Sequence, residues 1–412
     1  MKLEIPYGKE DVQQLDVPDE NLLQVVRPND VGLDDDDSAI QEGLDHPLGG
    51  VSVESLFQDG EVLVIVNDGT RPTPTARVLK ALEERVDLGK ATFLVATGAH
   101  RAPTEEEMRL IFGDLLPSLR PRVHIHDSHR SPTVHLGTSR KGTEMWVNEL
   151  VTRHDRILVI TSVEPHYFAG YTGGRKSILP GVSAYSTIED NHSLAMRPGS
   201  KVLSLEGNPV HEDMMDCMRD LRGKWLLGIQ VVLDRHQTVY RVAVGELNGS
   251  FERAVAWADE VYVVPIKRKA EVVVTIAPYP MDVDLYQSQK AMENAKYALK
   301  EGGTLILVSK CRHGIGEGAF YETLTSLGGP EGAERDLESE YRLGDHKATR
   351  MAEIAGRSRI CGVTSLEPEV LERIDVVPFE SVQEALDDAL AREPGASVMV
   401  IYEGSVVVPK VE

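Results

Sequence analysis

The chain reads as an α/β protein: two Rossmann-like domains with largely parallel sheets and one antiparallel hairpin, and an active site in the interdomain cleft. Three features carry that expectation. Short β-branched apolar runs recur along the chain, each ends in a glycine-bearing or polar loop, and helical periodicity follows. Strands that are apolar on both faces and alternate with helices belong to parallel sheets covered on two sides.

The runs come in order: EVLVIVNDGT (61–70), ATFLVATGAH (91–100), RVHIHDS (122–128) and RILVITSVEPH (156–166). Between them, TPTARVLKALEERV and PTEEEMRLIFG start as helices start, with Thr73 or Thr104 near the cap and Pro74 or Pro103 near the first turn. Each loop after a strand therefore lies at the carboxyl edge of the sheet, where open α/β sheets bind ligands. Residues 225–245 read as two β runs joined by a polar turn, an antiparallel hairpin at the sheet margin. A second α/β unit opens with EVVVTIAPYP (271–280), continues through the helix AMENAKYALKEGG, and returns in GTLILVSK (303–310). The domains expected are 1–265 and 266–396, with a tail, 397–412, that reads as a β pair packing back on the first domain.

Composition narrows the function. At 412 residues and 41% hydrophobic, the chain is long enough for two real cores. Lys and Arg total 44 against 66 Asp and Glu, a formal charge of -22, which argues against a nucleic-acid or anionic-membrane surface. The N-terminus lacks a signal-peptide pattern and no long apolar run occurs, so a cytoplasmic protein is expected. Cys217, Cys311 and Cys361 are far apart with no CxxC, which reads as buried free thiols. The acidic run at 34–37 lacks the glycine and distal glutamate of a calcium loop and reads as a solvated loop.

The chemistry-bearing residues cluster at strand ends. His100 and His166 each follow a parallel strand, so their imidazoles can enter one crevice as acid and base on opposite faces of a substrate. The loop N-D-G-T-R-P-T-P-T (67–75) offers backbone amides for a phosphate and Arg71 for a carboxylate, or is simply a proline-stiffened turn. EPHYFAGYTGGRKSILPG (164–181) nearly matches a phosphate loop, yet Arg175 stands where that motif needs glycine, and a glycine-rich surface turn fits as well. Gln287 and Lys290 share one face of a helix start, suited to a small polar ligand or to solvent. His124, His126, His129 and His135 have no ligand spacing that favours a metal site. His211 reads as a polar helix cap.

Taken together, DGTRP (68–72), TGAHR (97–101), the 164–181 loop, DNH (190–192) and YQSQK (286–290) resemble, in order and interval, the nickel-dependent lactate racemase family. The resemblance covers about residues 60–320. It implies an isomerase that racemises or epimerises 2-hydroxy acids with a nickel pincer nucleotide as cofactor. By the same resemblance Lys176 carries that nucleotide covalently, His192 is its one protein nickel ligand, and Asp68, Gly69, Thr70, Arg71 and Pro180 line it. His100 and His166 are then alternating acid and base, while Arg71, Gln287 and Lys290 hold the substrate. Hydride removal from the α-carbon avoids the costly dianionic enolate that proton removal beside a carboxylate creates. The implied partners are a small 2-hydroxy acid and the enzymes that make the cofactor. Lactate-specific members carry a tryptophan near the substrate in the second domain, and residues 266–396 here contain none. A more polar wall is expected near 344–354, which leaves lactate, malate, aromatic acids and sugar acids open.

Two other classes fit less well. A nicotinamide dehydrogenase needs G-x-G-x-x-G after its first strand and an acid about twenty residues on, and neither is found. A non-enzymatic nucleotide- or nickel-binding protein has no use for paired strand-end histidines.

Overall fold

The computed structural model describes residues 1–32, 36–58, 60–327 and 341–412. The chain divides into two compact units, one of residues 30–261 and the other of residues 1–29 with 262–412.

In the 30–261 unit, a six-stranded sheet runs in the order Val239–Glu246, Trp225–Leu233, Arg156–Ser162, Val62–Asn67, Ala91–Ala96, Val123–Ile125. All neighbours are parallel except the first pair, which is the expected antiparallel hairpin at the margin. Central strands are apolar throughout because both faces are covered: Val62 to Val66 and Ile157 to Ile160 are fully buried. The chain runs outward from Val62–Asn67 to Val123–Ile125, then returns to the other side of its starting strand as Arg156–Ser162. Strand order thus reverses between Val62–Asn67 and Arg156–Ser162, and open α/β sheets bind ligands beyond the carboxyl ends at such a reversal.

Helix Glu105–Phe112 starts on Thr104, whose hydroxyl accepts from the Glu107 N–H while the Glu107 carboxylate accepts from Thr104, a complete capping box. Helix Thr75–Glu83 starts differently from expectation. Its cap position is Pro74 and no side chain caps it, because Thr73 turns to the neighbouring strand. Helix Pro209–Cys217 is capped by Asn208, so His211 sits inside the first turn and is not the cap. Of the acidic run, residues 34 and 35 lie outside the described residues, and helix Asp36–Asp45 starts within the run.

The other unit holds a six-stranded sheet, all parallel, in the order Val376–Pro378, Arg359–Val363, Leu299–Val308, Ala270–Ile276, Val398–Ile401, Leu22–Val26. This corrects two expectations. Residues 1–29 do not join the first domain, because Leu22–Val26 finds its backbone partners on Val398–Ile401. Nor does the tail pack back there as a β pair: Val398–Ile401 enters the main sheet and Val408–Val411 pairs in parallel with Val263–Ile266. Among the described residues no helix is long and apolar enough to cross a membrane. Cys217, Cys311 and Cys361 are free and buried, as expected.

Candidate active site

At this switch point the first loop is pinned to the returning strand. Asn67 donates to Thr73 Oγ1 at 2.7 Å and to Thr161 Oγ1 at 3.0 Å, and Thr73 donates to Ser162 Oγ at 2.9 Å. The loop from Asp68 to Pro72 is thereby held as a fixed arch over the switch point. Within it the Arg71 guanidinium lies 3.6 Å from the buried Glu164 carboxylate, which follows the returning strand.

Asp68 is 5% exposed and each of its oxygens is engaged. Oδ1 accepts from the Thr70 N–H at 3.1 Å and the Thr70 hydroxyl at 2.6 Å, and Oδ2 faces His100 Nδ1 at 2.9 Å. Burial raises the proton affinity of this carboxyl, but His100, Thr70 and Arg71 outweigh it and hold the group below the usual carboxylate range. Gly69 is required by close approach: a Cβ there would come within 2.7 Å of Cβ and Cγ of Glu107. Glu107 also grips Arg101 through two bonds of 2.7 Å, bracing the segment that carries His100.

The 164–181 loop opens as a two-residue ladder, Pro165–His166 against Gly170–Tyr171. Gly170 turns it with φ +80°, and a Cβ there would lie 2.2 Å from the Ser204 carbonyl oxygen. A short 3-10 turn, Gly174–Ser177, then carries Arg175 and Lys176. Arg175 is wholly buried, donates to the carbonyls of Ala169 at 2.7 Å and Gly173 at 3.3 Å, and stacks 4.4 Å from the Phe251 ring centre. Burial lowers its pKa to about 9.

Phe168 gathers the rest. Its ring centre lies 4.6 Å from that of His166, 5.0 Å from that of His192 and 5.3 Å from the Lys176 amine. His166, Lys176 and His192 are each less than a tenth exposed. His192 is borne on helix Tyr185–Ser193, where neighbouring Asn191 donates to the buried Asp213 at 2.8 Å. Asp213 also accepts from Thr143 at 2.8 Å and from Ser139. The Gly98 N–H donates to the Gly181 carbonyl at 2.9 Å, tying the His100 loop to Pro180 and the Lys176 segment. The structure thus brings together His100 with Asp68 and Thr70, and His166 with Lys176 and His192.

In the other unit, Gln287 and Lys290 lie half-buried on helix Leu285–Ala295, which Asp284 caps by accepting from the Gln287 N–H at 2.7 Å. Beside them the buried Lys347, from helix Asp345–Ala355, donates to the Tyr286 carbonyl and lies 3.7 Å from the Tyr286 ring centre. Three histidines of the 124–135 cluster have structural partners. His126 is buried between Ser183 and Asn148, His129 stacks on Tyr185, and His135 pairs with Glu144. Burial, with Arg175 nearby, pushes His211 down to about 3.

Sequence reasoning missed Glu164, Phe168 and Arg175. Glu164 had a usable signal, a carboxylate two residues before a strand-end histidine. Phe168 and Arg175 had none beyond lying inside the loop.

Residues 7–202 match the lactate racemase N-terminal domain and residues 266–408 the lactate racemase C-terminal domain. The chain is 29% identical to a lactate racemase of Thermoanaerobacterium thermosaccharolyticum over 401 residues, 93% of each protein. It is 29% identical to a lactate racemase of Lactiplantibacillus plantarum over 384 residues, 90% of each. The structure of the lactate racemase apoprotein from T. thermosaccharolyticum superposes with a TM-score of 0.90 at 27% identity, covering 100% of both chains. A Thermotoga maritima protein reaches 0.70 at 17% identity over 92% of this chain and 100% of its own, a likeness of fold alone. The two domain matches and the two relatives show that the chain belongs to the lactate racemase family and is an isomerase of the racemase kind.

Proposed function

We propose that the protein racemises or epimerises a 2-hydroxy acid with a nickel pincer nucleotide held by Lys176 and His192. The observation that carries this reading is the convergence of His166, Lys176 and His192 on one buried ring, Phe168.

The donor set suits that cofactor. Among the described residues no group of three or more His, Cys, Asp or Glu side chains could hold a metal ion. A metal that arrives with its own organic ligands needs only one imidazole from the protein, and His192 provides it. Lys176 is shielded from solvent, as a covalent attachment point should be. Next to it the buried Ser177 hydroxyl has no hydrogen-bond partner among the described residues, a polar atom suited to a bound group. Asp68, Gly69, Thr70, Arg71 and Pro180 line the nucleotide in this reading. When bound, the cofactor supplies a hydride acceptor.

The chain's own residues do the remaining work. His100 and His166 take and return the substrate hydroxyl proton as alternating acid and base. Arg71 and Lys290 bind the carboxylate, and Gln287 orients the hydroxyl. Lactate and malate are both candidate substrates, since residues 266–396 contain no tryptophan. The reading assigns the chain to the cytoplasm, with the cofactor-making enzymes as partners.

The test is co-production with those enzymes, followed by intact mass, nickel content and chiral analysis on a panel of optically pure 2-hydroxy acids. A nickel-bearing mass increment that disappears in Lys176→Ala, with interconversion of at least one acid, is expected. An unmodified, nickel-free and inactive chain from such a host overturns the reading.

A further inference from the structure

His100 and His166 are not equivalent in their surroundings, and the difference lies at Nδ1. The inner nitrogen of His100 faces two oxygens, Asp68 Oδ2 at 2.9 Å and the Thr70 hydroxyl at 3.3 Å. The Thr70 hydrogen is committed to Asp68 Oδ1 at 2.6 Å, so the hydroxyl turns a lone pair toward the ring. Both neighbours of His100 Nδ1 are acceptors. The inner nitrogen of His166 meets the opposite partner, since the Ala169 N–H donates to it at 3.3 Å.

From this contrast we infer that Asp68 is a positioning residue that makes His100 the base of the resting chain. Its carboxylate fixes the neutral imidazole with the proton on Nδ1 and the lone pair on Nε2. A substrate hydroxyl proton then passes to Nε2 and gives an imidazolium whose Nδ1–H remains bonded to Asp68. His166 rests as the other tautomer. Its Nε2 carries the proton, so the ring gains a second one only at Nδ1, once the Ala169 contact is broken, and His166 serves as base at Nε2 only after its tautomer has changed. The role goes beyond lining a nucleotide, and it rests on the proposed assignment of these histidines as acid and base.

The experiment is long-range 15N–1H correlation NMR on histidine-labelled full-length chain without cofactor, with His100→Gln and His166→Gln to assign the two signals. The wild type is expected to show the Nδ1–H tautomer at His100 and the Nε2–H tautomer at His166. Asp68→Asn should reverse His100. Thr70 pins one side-chain atom of residue 68 through two donors, so the asparagine oxygen stays there and its NH2 turns to the imidazole. In cofactor-loaded protein D68N should lower kcat about a hundredfold or more with KM little changed. Thr70→Val keeps the carboxylate and should keep the wild-type tautomer at His100.

An Nε2–H tautomer at wild-type His100, the same tautomer at both histidines, or no change in D68N overturns the inference. If D68N does not fold, the wild-type and T70V spectra still decide it. A loaded protein that interconverts no 2-hydroxy acid while both tautomers stand as stated instead points to failure of the racemase reading.

Discussion

Arg175 reaches back across the glycine-rich loop and donates to the carbonyl of Ala169 at 2.7 Å. A second bond to Gly173 lets one planar guanidinium close the segment between His166 and Lys176 from inside. Lysine carries its donors on one tetrahedral ammonium at the end of a flexible stem, and it does not reproduce the spacing of the planar fork or its stacking on Phe251. Arg175→Lys should cost about 2–3 kcal/mol of stability, the scale of a charge-assisted hydrogen bond lost in the interior. Thermal unfolding of the pair of proteins checks it. An unchanged melting temperature would show that the bridge carries no energy.

Phe168 supports His166, His192 and the Lys176 amine with one ring. Leucine in its place keeps an apolar core but removes the ring faces and edges that orient these groups. Phe168→Leu is expected to lose about 1–2 kcal/mol from smaller buried area. The loss of racemase activity should be larger than that, about tenfold or more, because misplacement by a fraction of an ångström weakens alignment. Initial rates and urea melts on the same preparation separate the two effects.

Gln289 lies fully buried on the helix that bears Gln287 and Lys290, and among the described residues neither end of its amide has a partner. Burying an amide without hydrogen bonds is costly. Replacement by methionine, of similar length and without polar atoms, should stabilise the protein by about 1 kcal/mol. A urea midpoint that falls in Gln289→Met would show instead that the amide is satisfied in solution.

Glu403 has its backbone in the left-handed region at φ +52°, and burial pushes its carboxyl up to about 7 against the opposing pull of Arg27. In the unfolded chain the group titrates near the ordinary value of about 4.3. Between these two values the folded chain holds a proton that the unfolded chain has released, so stability falls as pH rises through that window. Glu403→Gln should therefore gain about 3–4 kcal/mol at pH 8 relative to the wild type and nothing at pH 4. Denaturation at the two pH values measures the difference directly.

Much of the first unit was legible because its signals are local. An apolar run such as Val62–Asn67 announces a buried parallel strand, and the loop after it must lie at the carboxyl edge. His100 and His166 were visible for that reason. The role of Asp68 was not, since it depends on the Thr70 hydroxyl and on which oxygen each donor takes. Strand Leu22–Val26 was assigned to the wrong unit because nothing near it in sequence names its partner, which lies more than 370 residues away. Val408–Val411 looked like half of a hairpin, yet its ladder runs to Val263–Ile266 instead. Local pattern shows that a segment is a strand, and only the assembled sheet shows beside which one it lies.

The pairing of Leu22–Val26 with Val398–Ile401 has a consequence for how the protein emerges from the ribosome. Residues 30–261 can complete their own sheet as soon as they are translated. The strand before them must wait, its hydrogen-bonding edge unanswered, until almost the whole chain has been synthesised. One of the earliest strands to be made is thus among the last to be housed, and nascent chains stalled before residue 398 will present it to chaperones.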